Sequence, residues 1–174
     1  MDNAEVSYFG IDGYEPRWLA GSSIIDAAHG PRLRALTGHV LRHVWLLWDI
    51  EDDEWFADAP VLLDFGHEQV EISHQKFADL SVTWNTISPA KQPAWTSGVF
   101  QLAWRDEARA DASAHHGHRL DAVELLEYAG SNAAHGMTAI SFVFSGNRLT
   151  VSNGLDENDL EFGGPDPAYR RTPL

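Results

Sequence analysis

Apolar and polar residues alternate over several stretches of the chain. In residues 61–65 and again in residues 140–144, every second position is a large apolar residue. Side chains of a β-strand point alternately to opposite faces, so this spacing gives each strand one apolar face that must be covered. We therefore predict a mainly β fold in which antiparallel sheets close into a barrel or pack as a sandwich.

The chain is also similar to itself. A shift of 79 residues aligns residues 38–73 with residues 117–152 without a gap. Identical residues occupy the aligned pairs Gly38/Gly117, His39/His118, Leu41/Leu120, Val44/Val123, Leu46/Leu125, Leu47/Leu126, Phe65/Phe144 and Ser73/Ser152. Self-similarity over a long period is typical of a duplicated unit. The pattern predicts a single domain of residues 1–174, built from two tandem three-stranded repeats with pseudo-twofold symmetry.

Each repeat is expected to contain three strands. They cover residues 41–47, 61–65 and 70–73 in the first copy, and residues 120–126, 140–144 and 149–152 in the second. Leu41 and Val44 are both apolar but have opposite parity, which predicts a β-bulge near Arg42, and equivalently near Asp121. Tight turns are expected where glycine allows a positive φ, at residues 66–68 and 145–147.

Outside the repeats, the pattern predicts strands at residues 80–84 and 100–104, and short helices at residues 23–29 and within residues 106–114. The first helix is expected to end before Gly30 and Pro31, because this pair breaks helices. The tail after Phe162 is rich in glycine and proline and is expected to be irregular.

The charge pattern narrows the choice of partner. The chain has 26 acidic and 12 basic residues, a formal net charge of −14. Nucleic acids and anionic membranes attract clustered Lys and Arg, so neither is a predicted partner. The absence of cysteine excludes disulfides and thiolate metal sites. The first residues are acidic and no apolar run is long enough to span a bilayer, so we expect a cytoplasmic protein.

The first hairpin loop is the main candidate for a binding site. It carries consecutive acidic residues beside tryptophan, whereas the aligned residues 128–134 are almost uncharged. The predicted partner-binding residues are Asp49, Glu51, Asp52, Asp53, Glu54 and Trp55. Such a loop would attract a basic protein, although a solvated hairpin tip or a calcium site has a similar composition. A second acidic run, residues 156–161, is expected to form a turn or to contact a partner.

An alternative site is a concave pocket lined by tryptophan. Its residues would be Trp84, Asn85, Trp95 and Trp104, which could hold a small ligand or, with carboxylate or histidine groups, support an enzyme. Aromatic residues at strand spacing equally fit a core. The sequence contains no phosphate loop, dinucleotide fingerprint, serine nucleophile elbow or zinc protease motif. We therefore expect a non-enzymatic protein that uses no cofactor.

Histidines form a third group. His115, His116 and His118 are close in the sequence, and His39 aligns with His118 in the other copy. Imidazoles gathered across a pseudo-twofold axis could bind zinc. The side chains of adjacent histidines diverge in an extended chain, however, and we predict no metal site here.

The pattern Gly38-His39-x-Leu41-x-x-Val44, followed by Pro60-Val61-x-Leu63-x-Phe65 and Val70-x-Ile72-Ser73, resembles that of small acidic bacterial proteins of unknown function. It is also similar to certain immunity proteins of polymorphic toxin systems. The resemblance covers the two repeats and carries over no catalytic or binding residue. It implies a bacterial, all-β protein that neutralises or assists a basic protein partner.

Overall fold

The computed structural model of the chain describes residues 8–94 and 101–174. Within these residues the strands form two open antiparallel sheets, one of seven strands and one of five. The first sheet contains β1 (Trp18–Ala20), β2 (His43–Asp49), β3 (Glu54–Trp55), β4 (Val61–Asp64), β5 (Gln69–Gln75), β6 (Asp79–Trp84) and β7 (Leu102–Arg105). The second contains β8 (Leu120–Tyr128), β9 (Thr138–Phe144), β10 (Asn147–Asn153), β11 (Asn158–Phe162) and β12 (Tyr169–Pro173). The predicted mainly β, antiparallel fold is confirmed.

The strand order places the repeat strands at the centre of each sheet. The first sheet runs β1-β6-β5-β4-β2-β3, and β7 pairs with β2 off this path. The second sheet runs β11-β10-β9-β8-β12. In neither sheet does the last strand pair with the first, so the arrangement fits a sandwich and not a closed barrel.

One apolar cluster joins the two sheets. It takes alternate residues from both, among them Val44, Val61, Ile72, Ile140, Phe142 and Val151, all of which are buried. A second cluster contains Leu47 and Leu62, whose neighbours in sequence belong to the first cluster. Because successive strand residues face opposite sides, the first sheet is buried on both faces. Ile11 and Tyr14 of the N-terminal segment belong to the second cluster and cover that outer face.

The strand registers in the two sheets coincide at a shift of 79 residues. Equivalent Cα partners are Val61–Ile72 and Ile140–Val151, and Leu63–Val70 and Phe142–Leu149. The pairing of β8 with β9 shifts between Leu120 and Ala122, which confirms the bulge expected there. The predicted turns lie between β4 and β5 and between β9 and β10, with Gly66 at φ 88° and Gly146 at φ 73°.

The starts of the two aligned segments bond to each other. Four backbone hydrogen bonds form two equivalent pairs. In the first pair, Gly38 N–H donates to Leu120 O and Gly117 N–H donates to Leu41 O, both at 2.8 Å. In the second pair, Leu120 N–H donates to His39 O and Leu41 N–H donates to His118 O, both at 2.9 Å. Replacing each residue by its partner at the 79-residue shift converts one bond of a pair into the other.

The first helix is longer than predicted. Helix α1 spans Ser22–Arg34 and continues through Gly30 and Pro31. Proline lacks an N–H and weakens a helix, but Leu33 beyond it is fully buried in the main core, and this packing favours continuation. The predicted second helix is one turn, α2 (Ala110–Ser113). No helix in residues 8–94 and 101–174 is long and apolar enough to cross a membrane.

The expectation of an irregular tail is correct for residues 163–168 and wrong for residues 169–173. Residues after Phe162 first form a glycine- and proline-rich connection, and the chain then pairs as β12 with β8. Leu174 N–H extends this pairing by donating to Val123 O at 3.0 Å. An unpaired edge strand exposes backbone donors and acceptors, and β12 satisfies those of β8.

Candidate functional site

The tip of the β2–β3 hairpin is shaped by its own acidic residues. Asp49 is 2% exposed, and its Oδ1 accepts hydrogen bonds from the N–H groups of Glu51, at 3.1 Å, and Asp52, at 3.4 Å. This is the local turn that aspartate side chains favour. The carboxylate of Asp49 is therefore committed to the turn, while those of Glu51 and Asp52 remain at the surface.

Asp53 has a second structural role in the same loop. Its backbone adopts φ 53°, a left-handed conformation that aspartate tolerates better than most residues. Its Oδ1 accepts a hydrogen bond from Trp48 Nε1 at 2.9 Å. The neighbouring Glu54 is exposed and Trp55 is half-buried, so these two present a carboxylate and an aromatic ring beside the tip.

The second acidic run folds back against this hairpin. Its first two residues, Asp156 and Glu157, lie in the turn between β10 and β11, and the others lie on β11. Both runs contribute to one cleft of about 540 Å³. The cleft is lined by Glu54, Trp55, Ala57, Arg109, Gly154, Glu157, Asn158 and Asp159. Acidic segments that are far apart in the sequence thus meet at one surface of the fold.

Asn158 ties the two sheets together at this cleft. Its side chain is 2% exposed, and its Nδ2 donates to the backbone oxygens of Ala57, at 3.0 Å, and Ala59, at 2.9 Å. Its Oδ1 accepts from the backbone N–H of His74 at 2.8 Å. Buried polar groups that are satisfied in this way fix geometry, so the position of the acidic turn against the hairpin is well determined.

Carboxylates around the cleft repel one another. Partial burial raises the pKa of Glu157, and the neighbouring carboxylates of Asp58 and Asp159 raise it further. Burial also raises the pKa of Asp58, with a further contribution from Asp156. Like charges held close together disfavour ionisation. A cation placed among them would relieve this repulsion.

One arginine of the chain already lies in the cleft. The Arg109 guanidinium is 5.4 Å from the ring centre of Trp55 and 5.7 Å from that of Phe162, and it pairs with Asp111 at 2.7 Å. Guanidinium groups are attracted to aromatic faces at this distance. The indole N–H of Trp55 has no acceptor among the residues that the structure describes. Carboxylate and aromatic groups therefore form a wall that accommodates a cationic side chain.

The tryptophans predicted to line the alternative pocket do not lie together in the structure. Trp84 packs against the main core, whereas Trp104, 8% exposed, belongs to the second cluster. Asn85 holds a loop by accepting from Gln69 N–H at 2.8 Å. Trp95 lies outside the described residues. Trp84 and Trp104 thus contribute to different apolar clusters instead of a shared wall.

The histidine cluster of the sequence is also dispersed. His115 is 1% exposed and stacks on Phe162 with ring centres 5.6 Å apart. His118 is exposed. His116 turns towards the first sheet, where its Nε2 accepts a hydrogen bond from Val44 N–H at 2.9 Å.

Comparison of the chain with protein-family models, with curated proteins and with solved structures gives no match. The geometry of the acidic cleft is therefore the basis for the function. The sequence predicts Glu54 and Trp55 as binding residues but does not show that they share a cleft with Glu157, Asp159 and Arg109. Their meeting depends on the bonds of Asn158, which leave no pattern in the linear sequence.

Proposed function

We propose that the chain is a non-enzymatic binding protein whose acidic cleft receives a lysine- or arginine-bearing segment of a basic protein. The observation that carries the proposal is the convergence of Glu54, Glu157 and Asp159 on one cleft beside the ring of Trp55. Carboxylates supply long-range attraction, and a half-buried tryptophan supplies an anchor of the kind that dominates protein interfaces.

A protein segment suits this cleft better than a bare ion. A volume of about 540 Å³ can hold one or two large side chains. The wall is partly aromatic, and Arg109 already stacks on Trp55 within it. Aromatic faces bind guanidinium and ammonium groups but contribute little to a hard metal cation, which takes oxygen ligands.

Neutralisation is the biological role we propose for this binding. A net charge of −14 matches a partner whose surface is basic. Covering that surface would prevent the partner from binding its own anionic target, which is how an immunity-type protein would act. The proposal places the interaction in a bacterial cytoplasm.

The test begins by capturing the partner from the native host and measuring its binding kinetics. Glu54→Gln combined with Glu157→Gln should slow association several-fold at low salt, because opposite charges steer encounter. The control is Asp12→Asn with Glu15→Gln, which removes the same charge from exposed positions that do not line the cleft. Equal slowing by both pairs would show that net charge, and not the cleft, guides the partner.

Trp55→Ala tests the anchor separately. Loss of a buried aromatic contact should raise the dissociation rate about 30-fold, equivalent to about 2 kcal/mol, with little change in association. A dissociation rate equal to that of the unmodified protein would remove Trp55 from the interface.

A second candidate function is the binding of a small anion beside Trp84. A cavity of about 390 Å³ at this ring is lined by three basic side chains, Arg17, His29 and Arg32, and one acidic side chain, Glu15. Burial lowers the pKa of His29, and the two arginines lower it further. Phosphate or citrate should then raise the melting temperature, an effect that Arg17→Ala would reduce.

We also propose that the two aligned segments are copies of one ancestral unit. The equivalent registers and the paired bonds between Gly38, Leu120, Gly117 and Leu41 support this view. The acidic hairpin would then be a specialisation of one copy. An experimental structure in which residues 38–73 and 117–152 superpose poorly would contradict the duplication.

A further inference from the structure

Three metal-ligating side chains meet at one end of the first sheet. His43 is the first residue of β2, Asp106 directly follows β7, and His116 lies just after α2. His43 Nδ1 is 2.8 Å from Asp106 Oδ2, and one ligand atom from each residue lies within 4.8 Å of the other two. The rings of His43 and His116 are arranged edge to face, with centres 5.8 Å apart.

We infer that His43, Asp106 and His116 form a binding site for a divalent transition-metal ion of the zinc class. Two imidazoles and one carboxylate are a ligand set that zinc accepts, with a fourth position left for water. Zinc ligands lie about 2.0–2.2 Å from the ion, which in a tetrahedral site puts two of them about 3.3–3.6 Å apart. The distance from His43 Nδ1 to Asp106 Oδ2 needs only to widen slightly to reach this spacing. The ligand atom of His116 needs to move a short distance towards the other two.

The backbone holds the three residues in place. Strand β7 pairs with β2, with Leu46 opposite Arg105, and this pairing brings Asp106 alongside the start of β2. The turn after α2 is closed by a hydrogen bond from His116 N–H to Ser113 O at 3.0 Å. Ligands on paired strands and a closed turn are better positioned than ligands on free loops.

The surroundings allow entry of an ion. The side chains of His43 and Asp106 are 42% and 26% exposed. The ring of Trp45 lies against His43 with centres 5.2 Å apart, which limits rotation of that imidazole. The site is therefore accessible from solvent while at least one ligand is restrained.

The hydrogen bond from Val44 N–H to His116 Nε2 gives the proposal a specific signature. A neutral imidazole has one unprotonated nitrogen, so His116 cannot accept from Val44 and bind a metal with the same lone pair. Metal binding must release the Val44 amide. The Val44 amide is therefore expected to change when the ion binds.

This site differs from the histidine grouping considered in the sequence. It uses one member of that group, His116, together with His43 and Asp106, which are distant from it along the chain. His118 is exposed, lies two residues from His116 and is not part of the triad. It is therefore a matched control.

The experiment uses the full chain without an affinity tag, stripped of metal with a chelator and titrated with zinc chloride by calorimetry. One zinc ion per chain is expected. Asp106→Asn, which preserves side-chain size, and His43→Ala should each weaken binding at least tenfold, whereas His118→Ala should leave it unchanged. In amide NMR spectra, Val44 should shift on zinc addition and not on magnesium addition.

Two results would overturn the inference. One is the absence of stoichiometric zinc binding by the unmodified chain. The other is binding that survives in both Asp106→Asn and His43→Ala, or that is lost equally in His118→Ala. Circular dichroism of each variant checks that the β fold is retained, so that a loss of binding is not mistaken for unfolding.

Discussion

Two groups of carboxylates in this protein have opposite environments. Glu124, 8% exposed on β8, accepts hydrogen bonds from Arg148, at 2.7 Å, and from Arg171, at 3.1 and 2.9 Å. These arginines, Arg171 foremost, lower its pKa. Glu157 lies among other carboxylates of the cleft, and its pKa is raised. The paired carboxylate stabilises the fold, whereas we propose that the carboxylates of the cleft bind a basic partner.

The positions of the two groups explain the difference. Glu124 lies in the middle of a strand, directly opposite Ser141, with Arg171 arriving on the edge strand β12. Glu157 lies in the turn between β10 and β11, where its side chain is exposed. Within a sheet, the pairing register determines which side chains are adjacent to each other. In a turn, charged side chains can contact solvent or another molecule.

The largest predicted effect is that of Glu124→Ala. The substitution leaves Arg148, whose side chain is only 12% exposed, without its carboxylate. Removing one partner of a largely buried ion pair leaves an uncompensated charge, and the free energy of unfolding should fall by about 2–3 kcal/mol. Urea denaturation measures this. If Glu157→Ala destabilises the chain equally, the contrast between the two groups is false.

The second prediction concerns pH. The fold raises the pKa of Glu157 and of Asp58 above their unfolded-state values. Their contribution to the free energy of unfolding is therefore complete at low pH, and it is lost as the pH rises through the raised pKa values. The fold lowers the pKa of Glu124. Its contribution to the free energy of unfolding is therefore present above the unfolded-state pKa, about 4.3, and is lost as the pH falls.

Melting temperature should therefore rise slightly as the pH falls from 7 through the raised pKa values of Glu157 and Asp58, and should fall at pH values below the ordinary pKa of glutamate, about 4.3. Glu157→Gln combined with Asp58→Asn should remove the rise and leave the fall. An unchanged rise in this double variant would mean that the cleft carboxylates are not its source.

The smallest predicted effect is that of Glu157→Gln alone. Neutralising one repelled carboxylate should raise the free energy of unfolding by no more than about 0.5 kcal/mol, since exposed charges interact weakly. The same change is expected to slow association with a basic partner. Stability and binding would then respond in opposite directions, which separates a binding role from a structural one.

Local patterns predicted much of the fold. Alternation located the strands around Val61 and Ile140, and the parity of Leu120 and Val123 located the bulge in β8. The extent of α1 beyond Pro31 and the pairing of β12 were missed, because both depend on packing against distant elements. Sequence windows describe local preference and do not report such contacts.

The candidate sites were only half predictable. The acidic composition around Glu54 was visible in the sequence, but its place in one cleft with Glu157 was not, since that depends on Asn158 of β11 binding Ala57, which follows β3. Arg109 is a lone arginine in an alanine-rich segment and gives no signal. The meeting of His43 with Asp106 depends on the pairing of β7 with β2, which sequence spacing does not specify.

Zero-length carbodiimide cross-linking of the chain to its captured partner tests the central claim most directly. This reagent joins a carboxylate to a lysine amine only where the two are in contact, and mass spectrometry identifies the joined residues. We predict cross-links from partner lysines to Glu54, Glu157 or Asp159. Cross-links confined to carboxylates outside the cleft, such as Asp12 and Glu15, would contradict the proposal that the acidic cleft receives a basic segment.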